Sequence, residues 1–281
     1  MAISNFIPEV WSAELLVALE KSLVYASPGV VNRDYEGEIA QSGDTVHITS
    51  LADPTVDDYT VHTDITVEDV DDATAALIID QSKYFAFEVD DVEKRQAKGT
   101  VLTEQARKAA YKLRDVADQF VAAQMAADVD AGNEVSEASY AFDEVYDLLV
   151  DLAVLLDESD VPSEGRFAIV TPAIHGALLK DSRFIAAGDS AGSVVRANGR
   201  VGEAAGFSIR KSNNAPDGPG AGAGKLLIAG SDMATTYAEQ IASTEAVRME
   251  KRFADMVKGL HLYGGKVVRP TALAIADVIL T

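Results

Sequence analysis

The chain has 281 residues, and its 48% hydrophobic content is enough for one large or two modest domains. It has no cysteine, which excludes disulfides, thiol catalysis and cysteine-bound zinc or iron–sulfur sites. Its net charge of −21 argues against a binder that tracks nucleic-acid phosphates with a basic face.

The opening residues, Met1 to Glu9, lack the basic n-region and cleavage site of a secretion signal. No apolar run approaches the roughly 20 residues of a membrane helix. The default expectation is a soluble cytoplasmic product with no membrane partner. Pro8 can open a helix, and Val10, Trp11, Leu15, Leu16, Leu19 and Leu23 recur at helical spacing until Ser27-Pro28-Gly29 stops it. Residues 30–38 then run on as extended chain.

From Asp44 to Glu93 the chain carries fourteen Asp and Glu against a single Lys, Lys83. The segments 44–50, 59–67 and 76–79 are rich in β-branched residues and predict strands, with Asp53-Pro54 and residues 68–72 as turns. Two or three strands this poor in bulky apolar residues are marginal alone in water. Such an arm needs a neighbour to lie on. Tyr84–Val89 then returns toward a core.

A helix of about 26 residues follows, roughly 39 Å long, with Thr103 as its expected cap. Ala106, Ala109, Leu113, Val116, Phe120, Ala123 and Ala127 form its expected buried stripe, and Lys108, Lys112, Asp115, Asp118 and Gln119 its exposed side. Asp130 to Asn133 ends it, and a second helix runs from about Phe142 to Glu158. Arg166–Thr171 reads as a buried strand, and Thr171-Pro172 as the cap and first turn of a short helix ending near Lys180. Residues 207–210 and 225–229 read as further strands of a small α/β domain, and residues 188–224 as mostly loop. From Glu245 onward the chain alternates again, with a hairpin expected at Gly264-Gly265 and a last strand at 272–280.

Four features suggest chemistry, and none holds. Gly188-Asp-Ser190-Ala-Gly192 fits a nucleophile elbow, and Asp217, Asp232 or Asp255 followed by His261 respects the order of a hydrolase triad. It lacks the strong preceding strand and the oxyanion loop that the chemistry requires. Gly218 to Lys225 has Pro219 and Leu226 where a phosphate loop needs Gly and Ser or Thr. His47, His62, His175 and His261 show no metal-ligand spacing. Glu68, Asp69, Asp71 and Asp72 are weak metal candidates, without the glycine and terminal glutamate of a calcium loop. No catalytic residue and no cofactor is expected.

The order of parts resembles the major capsid protein of tailed double-stranded-DNA viruses, over nearly the whole chain. The resemblance is carried by Ile3–Ser12, Val31–Glu38 and Gly43–Val46, with support from Tyr84–Asp91, Thr171–Gly176, Asp181–Phe184 and Val268–Pro270. It implies an α+β fold with an N-terminal arm (1–38), an extended β-hairpin loop (39–82), a peripheral domain (83–130 and 245–281, with a spine helix at about 103–129) and an α/β axial domain (131–244). It also implies hexamers and pentamers in an icosahedral virion shell assembled in the host cytoplasm, with a separate scaffolding protein, a portal and a decoration protein as partners. The packaged DNA would be enclosed without tight binding. Some relatives seal the shell through a lysine of the extended loop; Lys83 lies at the base of the arm, so that chemistry is not carried over.

An acidic arm laid on a neighbour must meet basic residues or cations, because like charges facing each other cost energy. Asp57, Asp58 and Asp64 are therefore expected to meet Lys108, Lys112 and Arg114. Two alternatives are a serine hydrolase using Ser190 and His261, and a β-arm decoration or adhesion protein. The surplus of Asp, 27 to 18 Glu, with only 12 Lys, also fits a salt-rich source.

Overall fold

The computed structural model describes residues 24–35, 45–51, 58, 72–90, 100–141, 144–181, 202–218, 224–249 and 252–280. The helix expected around Trp11, the strand expected at 59–67 and the loop holding Ser190 lie outside these residues.

β1 (Thr45–Leu51) and β2 (Asp72–Ile78) form an antiparallel two-stranded ribbon, with Thr45 opposite Ile78 and Leu51 opposite Asp72. The turn expected at 68–72 therefore yields Asp72 to the strand. β3 (Gln81–Asp90), β10 (Ala254–Val267) and β9 (Thr235–Arg248) form a three-stranded sheet in the order β3-β10-β9. β3 is an edge strand and does not return fully to the core, since Tyr84 stays 79% exposed.

The sheet corrects the hairpin expected at Gly264-Gly265. Both glycines lie inside β10, opposite Ala238 and Tyr237 of β9. Glycine is needed there by close approach: a Cβ on Gly264 would stand 2.4 Å from the carbonyl oxygen of Ile78. The ribbon root crosses the sheet at that point.

α1 (Thr100–Ala127) is the long helix. Its backbone is helical from Thr100, so Thr103 falls in its first turn and is not its cap. No Gly or Pro between Thr100 and Thr103 delays the start. The buried face also differs from the expected stripe. Ala110, Leu113, Ala117, Val121, Ala122 and Met125 are buried with Arg114 and Asp118, whereas Val116, Ala123 and Ala127 face out. A short 3-10 turn at Ala131–Asn133 follows, with the Asp130 carboxylate accepting the N–H of Gly132 at 2.8 Å.

The third sheet has six strands in the order β4-β11-β8-β5-β7-β6. These are β4 (Glu134–Tyr140), β5 (Arg166–Val170), β6 (Glu203–Ala204), β7 (Phe207–Lys211), β8 (Lys225–Ser231) and β11 (Leu273–Leu280). The resemblance places the last strand with 83–130, whereas β11 hydrogen-bonds between β4 and β8. Likewise 235–244, grouped with the α/β part, belongs to β9 of the three-stranded sheet.

Both faces of the six-stranded sheet are covered, which explains why β5 is apolar at successive positions instead of alternating. On one face Ala168, Val170, Leu227, Ala229 and Ala276 pack on α2 (Val145–Glu158) and α3 (Pro172–Lys180). The α2 stripe Val145, Leu148, Leu149, Leu152 and Leu156 is fully buried, as its spacing requires. Thr171 caps α3 by accepting the N–H of Ile174, and Pro172 occupies its first turn. On the other face Phe167, Ile169, Ile228 and Leu273 meet Ala117, Val121 and Met125 of α1, with Tyr25, Val30 and Val31.

Candidate assembly surfaces

Among the described residues, those singled out as catalytic or metal-binding form no site. His261 is completely buried, with Nε2 3.2 Å from the Glu239 carboxylate. The three aspartates offered as its triad partners are engaged elsewhere. Asp217 pairs with Lys225 at 2.6 Å and Asp255 with Arg248 at 3.1 Å, while Asp232 lies against Gly165. Ser190 lies outside the described residues, as do Glu68, Asp69 and Asp71. Among the described residues no group of three acidic, His or Cys side chains could hold a metal ion. No helix among them is long and apolar enough to cross a membrane.

The ribbon root is built from a few apolar side chains. Leu77 and Ile79 are fully buried with Leu262 of β10 and Ala238 of β9, and Tyr35 packs against them. Between these two, Ile78 points away and is half exposed. Beyond the root, β1 and β2 pair only with each other, so each keeps an unpaired outer edge among the described residues. The same outer face of the sheet continues past the root through Leu260, Lys258 and Met256, opposite Tyr84, Ala86 and Glu88 of β3.

The expected basic partners fall in two places. Lys108 and Lys112 are exposed, one turn apart on α1, with Tyr111 beside them. Arg114 faces another way and is buried. Its guanidinium stands 4.7 Å over the Tyr111 ring, and burial pulls its pKa below the ordinary arginine value despite Tyr111, Asp118 and Asp115 nearby. It lines a recess of about 160 Å³ with Val24, Asp115, Lys211 and Asn214. Of the acidic residues expected to meet these bases, Asp58 is exposed, and Asp57 and Asp64 lie outside the described residues.

Two charged side chains that sequence reasoning assigned no role hold the segment 24–35 in place. Asp118 was expected on the solvent side of α1. It is buried, and one carboxylate oxygen accepts the N–H groups of Val24 at 2.9 Å and Tyr25 at 2.8 Å. The other accepts the side-chain amide of Asn214 at 2.9 Å. Glu239 accepts from Arg33 on one oxygen, and from Tyr237 at 2.8 Å on the other, where His261 also lies. Burial pushes the Glu239 carboxyl up, but the His261 hydrogen bond and the Arg33 charge outweigh it and hold the group below its ordinary value. The same burial and the Glu239 charge push the Tyr237 hydroxyl well up. Asp118 carried one weak signal in the sequence: it follows Ala117 and stands four residues past Arg114, on a side of α1 marked by alanine.

Residues 74–276 match the model of a family described as phage capsid protein. A solved structure from Mycobacterium phage Che8 is similar over 98% of this chain and 98% of its own, with 30% sequence identity and a TM-score of 0.75. The capsid structure of the cyanophage P-SCSP1u matches over 86% of this chain and 85% of its own at 17% identity, with a TM-score of 0.71. The asymmetric unit of the mature capsid of bacteriophage PhiM1 matches over 92% and 89% at 16% identity, with a TM-score of 0.66. No curated protein matches the chain. The family match spans most of the chain and takes in the ribbon root, α1 and most of the three-stranded and six-stranded sheets, and it gives the serine-hydrolase reading no support. The chain belongs to the phage capsid protein family and is a structural major capsid protein, a virion component that assembles into a multimeric shell.

Proposed function

We propose that the subunit forms hexamers and pentamers of an icosahedral shell around double-stranded DNA, each copy laying its acidic ribbon on the next. The observation that carries this is the ribbon itself. Its root is locked by Leu77 and Ile79, and beyond it, among the described residues, two strands pair only with each other. Two strands of this length are marginal in water, so a second copy supplies the missing contacts. Opposite charges select the receiving surface: Asp57, Asp58 and Asp64 on one copy meet Lys108 and Lys112 of α1 on its neighbour. Arg114, already buried within its own subunit, supports that helix and does not receive the ribbon directly.

On this reading 1–38 form an N-terminal arm and 39–82 the extended loop. The three-stranded sheet with α1 forms the peripheral domain, and the six-stranded sheet with α2 and α3 the axial domain. Membership of the capsid family supports a separate scaffolding protein, a portal and a decoration protein as partners, with assembly in the host cytoplasm. The high negative charge supports a wall that faces packaged DNA without gripping it.

Sedimentation and negative-stain imaging of the purified protein test the proposal. The wild type should run as capsomers or shells. Lys108→Glu with Lys112→Glu should yield smaller species, and reversing Asp57, Asp58 and Asp64 to Lys in that background should restore assembly. Shells of normal size from the Lys108/Lys112 double variant would remove the pairing, and fibres in place of polyhedra would favour a decoration or adhesion role.

A further inference from the structure

Residues 24–35 touch each of the larger bodies of the described fold in turn. Val24 and Tyr25 hang from Asp118 in α1. Ser27 and the carbonyl of Pro28 are gripped by Arg210 of β7, in the six-stranded sheet. The turn there needs Gly29, which has φ +79 and would bring a Cβ within 3.0 Å of the Arg210 guanidinium. Asn32 then bridges onto β9, its N–H donating to Thr235 at 2.8 Å and its carbonyl accepting from Tyr237 at 2.9 Å. Arg33 pairs with Glu239, and Tyr35 ends against Leu77 and Ile79 at the ribbon root.

We infer that this segment is a strap that couples the Asp118 joint to the root of the ribbon, so that release at one end loosens the other. Its middle is stiff. Tyr25, Ala26, Val30 and Val31 are buried in the core between α1 and the six-stranded sheet, so the strap moves as one piece or stays. Its two ends are held by single buried carboxylates, Asp118 and Glu239, each serving three donors. Any contact that favours the released or held strap must therefore shift the ribbon's position as well, because coupling between two sites is reciprocal. Asp118 acts here as a positioning residue for assembly. The inference rests on the shell-forming role and is independent of the docking of ribbon on α1.

Hydrogen–deuterium exchange on the full-length protein tests it, read in both unassembled subunits and shells. Asp118→Ala should speed exchange in residues 24–33 by roughly tenfold, the scale of a local opening. It should speed exchange in residues 72–79 by a similar factor, over and above the uniform increase that the loss of global stability brings to α2 and β5. Asp118→Asn, which retains an acceptor for Val24 and Tyr25, should restore both segments together. If Asp118→Ala does not fold, Arg210→Ala gives the milder release and should show the same paired change. A fast strap beside a ribbon root that shares only that uniform increase would overturn the coupling. A strap left unchanged by either variant would overturn the role of these clasps. Because unassembled subunits suffice for the reading, failure of the Lys108/Lys112 docking leaves this result intact.

Discussion

The carboxylate of Asp118, midway along α1, accepts the backbone N–H of Tyr25 at 2.8 Å across 93 residues of sequence. A buried, charge-assisted acceptor of this kind is worth more than an ordinary hydrogen bond, and its removal strands the buried amide of Tyr25 and the half-buried one of Val24. Asp118→Ala should cost on the order of 3 kcal/mol and lower the thermal midpoint by about 5 °C for a chain of this size. Asp118→Asn should lose less than half of that. Scanning calorimetry checks both; equal losses would mean that the charge, and not the acceptor geometry, carries the joint.

The diglycine in β10 gives a paired prediction. At Gly264 a Cβ would meet the Ile78 carbonyl at 2.4 Å and Ile79 at 3.0 Å, both backbone atoms that cannot move without moving the ribbon. At Gly265 the nearest atom is a Phe120 ring carbon at 3.5 Å, an ordinary contact. Gly264→Ala should therefore cost about 2–3 kcal/mol, in the range of overpacked cores, and should impair shell assembly. Gly265→Ala should assemble as the wild type does. Thermal melts with sedimentation separate the two, and matching behaviour would deny that the ribbon root crosses the sheet at Gly264.

How much of this was legible depends on how far apart the partners lie in sequence. β5 and α3 were readable because their information is local: Phe167-Ala-Ile-Val gives a doubly buried strand, and Thr171-Pro172 gives a cap and first turn. The extent of α1 was readable, but its rotation was not. Alanine occupies both its buried and exposed sides, as Ala117 and Ala123 show, so the apolar pattern barely marks a face. Asp118 could not be placed because its partners are backbone amides in a remote segment with no side-chain signature. Gly264-Gly265 misled because two glycines between strand-like runs ordinarily make a turn, whereas here they admit a crossing backbone. The capsid architecture itself was legible from the order of parts, whereas the partition of strands between sheets was not. β11 reaches past the three-stranded sheet to pair with β4 and β8, and hydrophobic pattern does not encode that choice.

Glu239 sets a pH dependence. Its folded pKa lies below the ordinary 4.5 because His261 and Arg33 favour its charged form more than burial opposes it. The stability it contributes is therefore complete above that value and is lost as pH falls through and below it. Glu239→Gln removes this contribution, since one amide cannot accept from Arg33, Tyr237 and His261 together. Denaturation midpoints from pH 3 to 7 should fall less steeply on the acid side in the variant than in the wild type. Parallel curves would show that Glu239 is not the titrating group.

Salt should stabilise the subunit, and the sign follows from comparing two opposing effects. The exposed ion pairs Lys225–Asp217 at 2.6 Å, Arg252–Glu88 at 2.7 Å and Lys258–Glu245 at 2.8 Å weaken as salt rises. Such pairs are worth about 1 kcal/mol or less each, so their loss is small. Against them stands the self-repulsion of 45 acidic residues over 24 basic ones, dense in the ribbon. Raising salt from 0.1 to 1 M shortens the screening length from about 10 to 3 Å, which relieves repulsion across the whole surface while touching few attractive pairs. The thermal midpoint should rise between these concentrations, and assembly should proceed more readily, since ribbons carrying like charge must approach one another. A midpoint that stays level or falls would mean that the acidic residues are already neutralised by their neighbours, and the salt-rich source suggested by composition would lose its support.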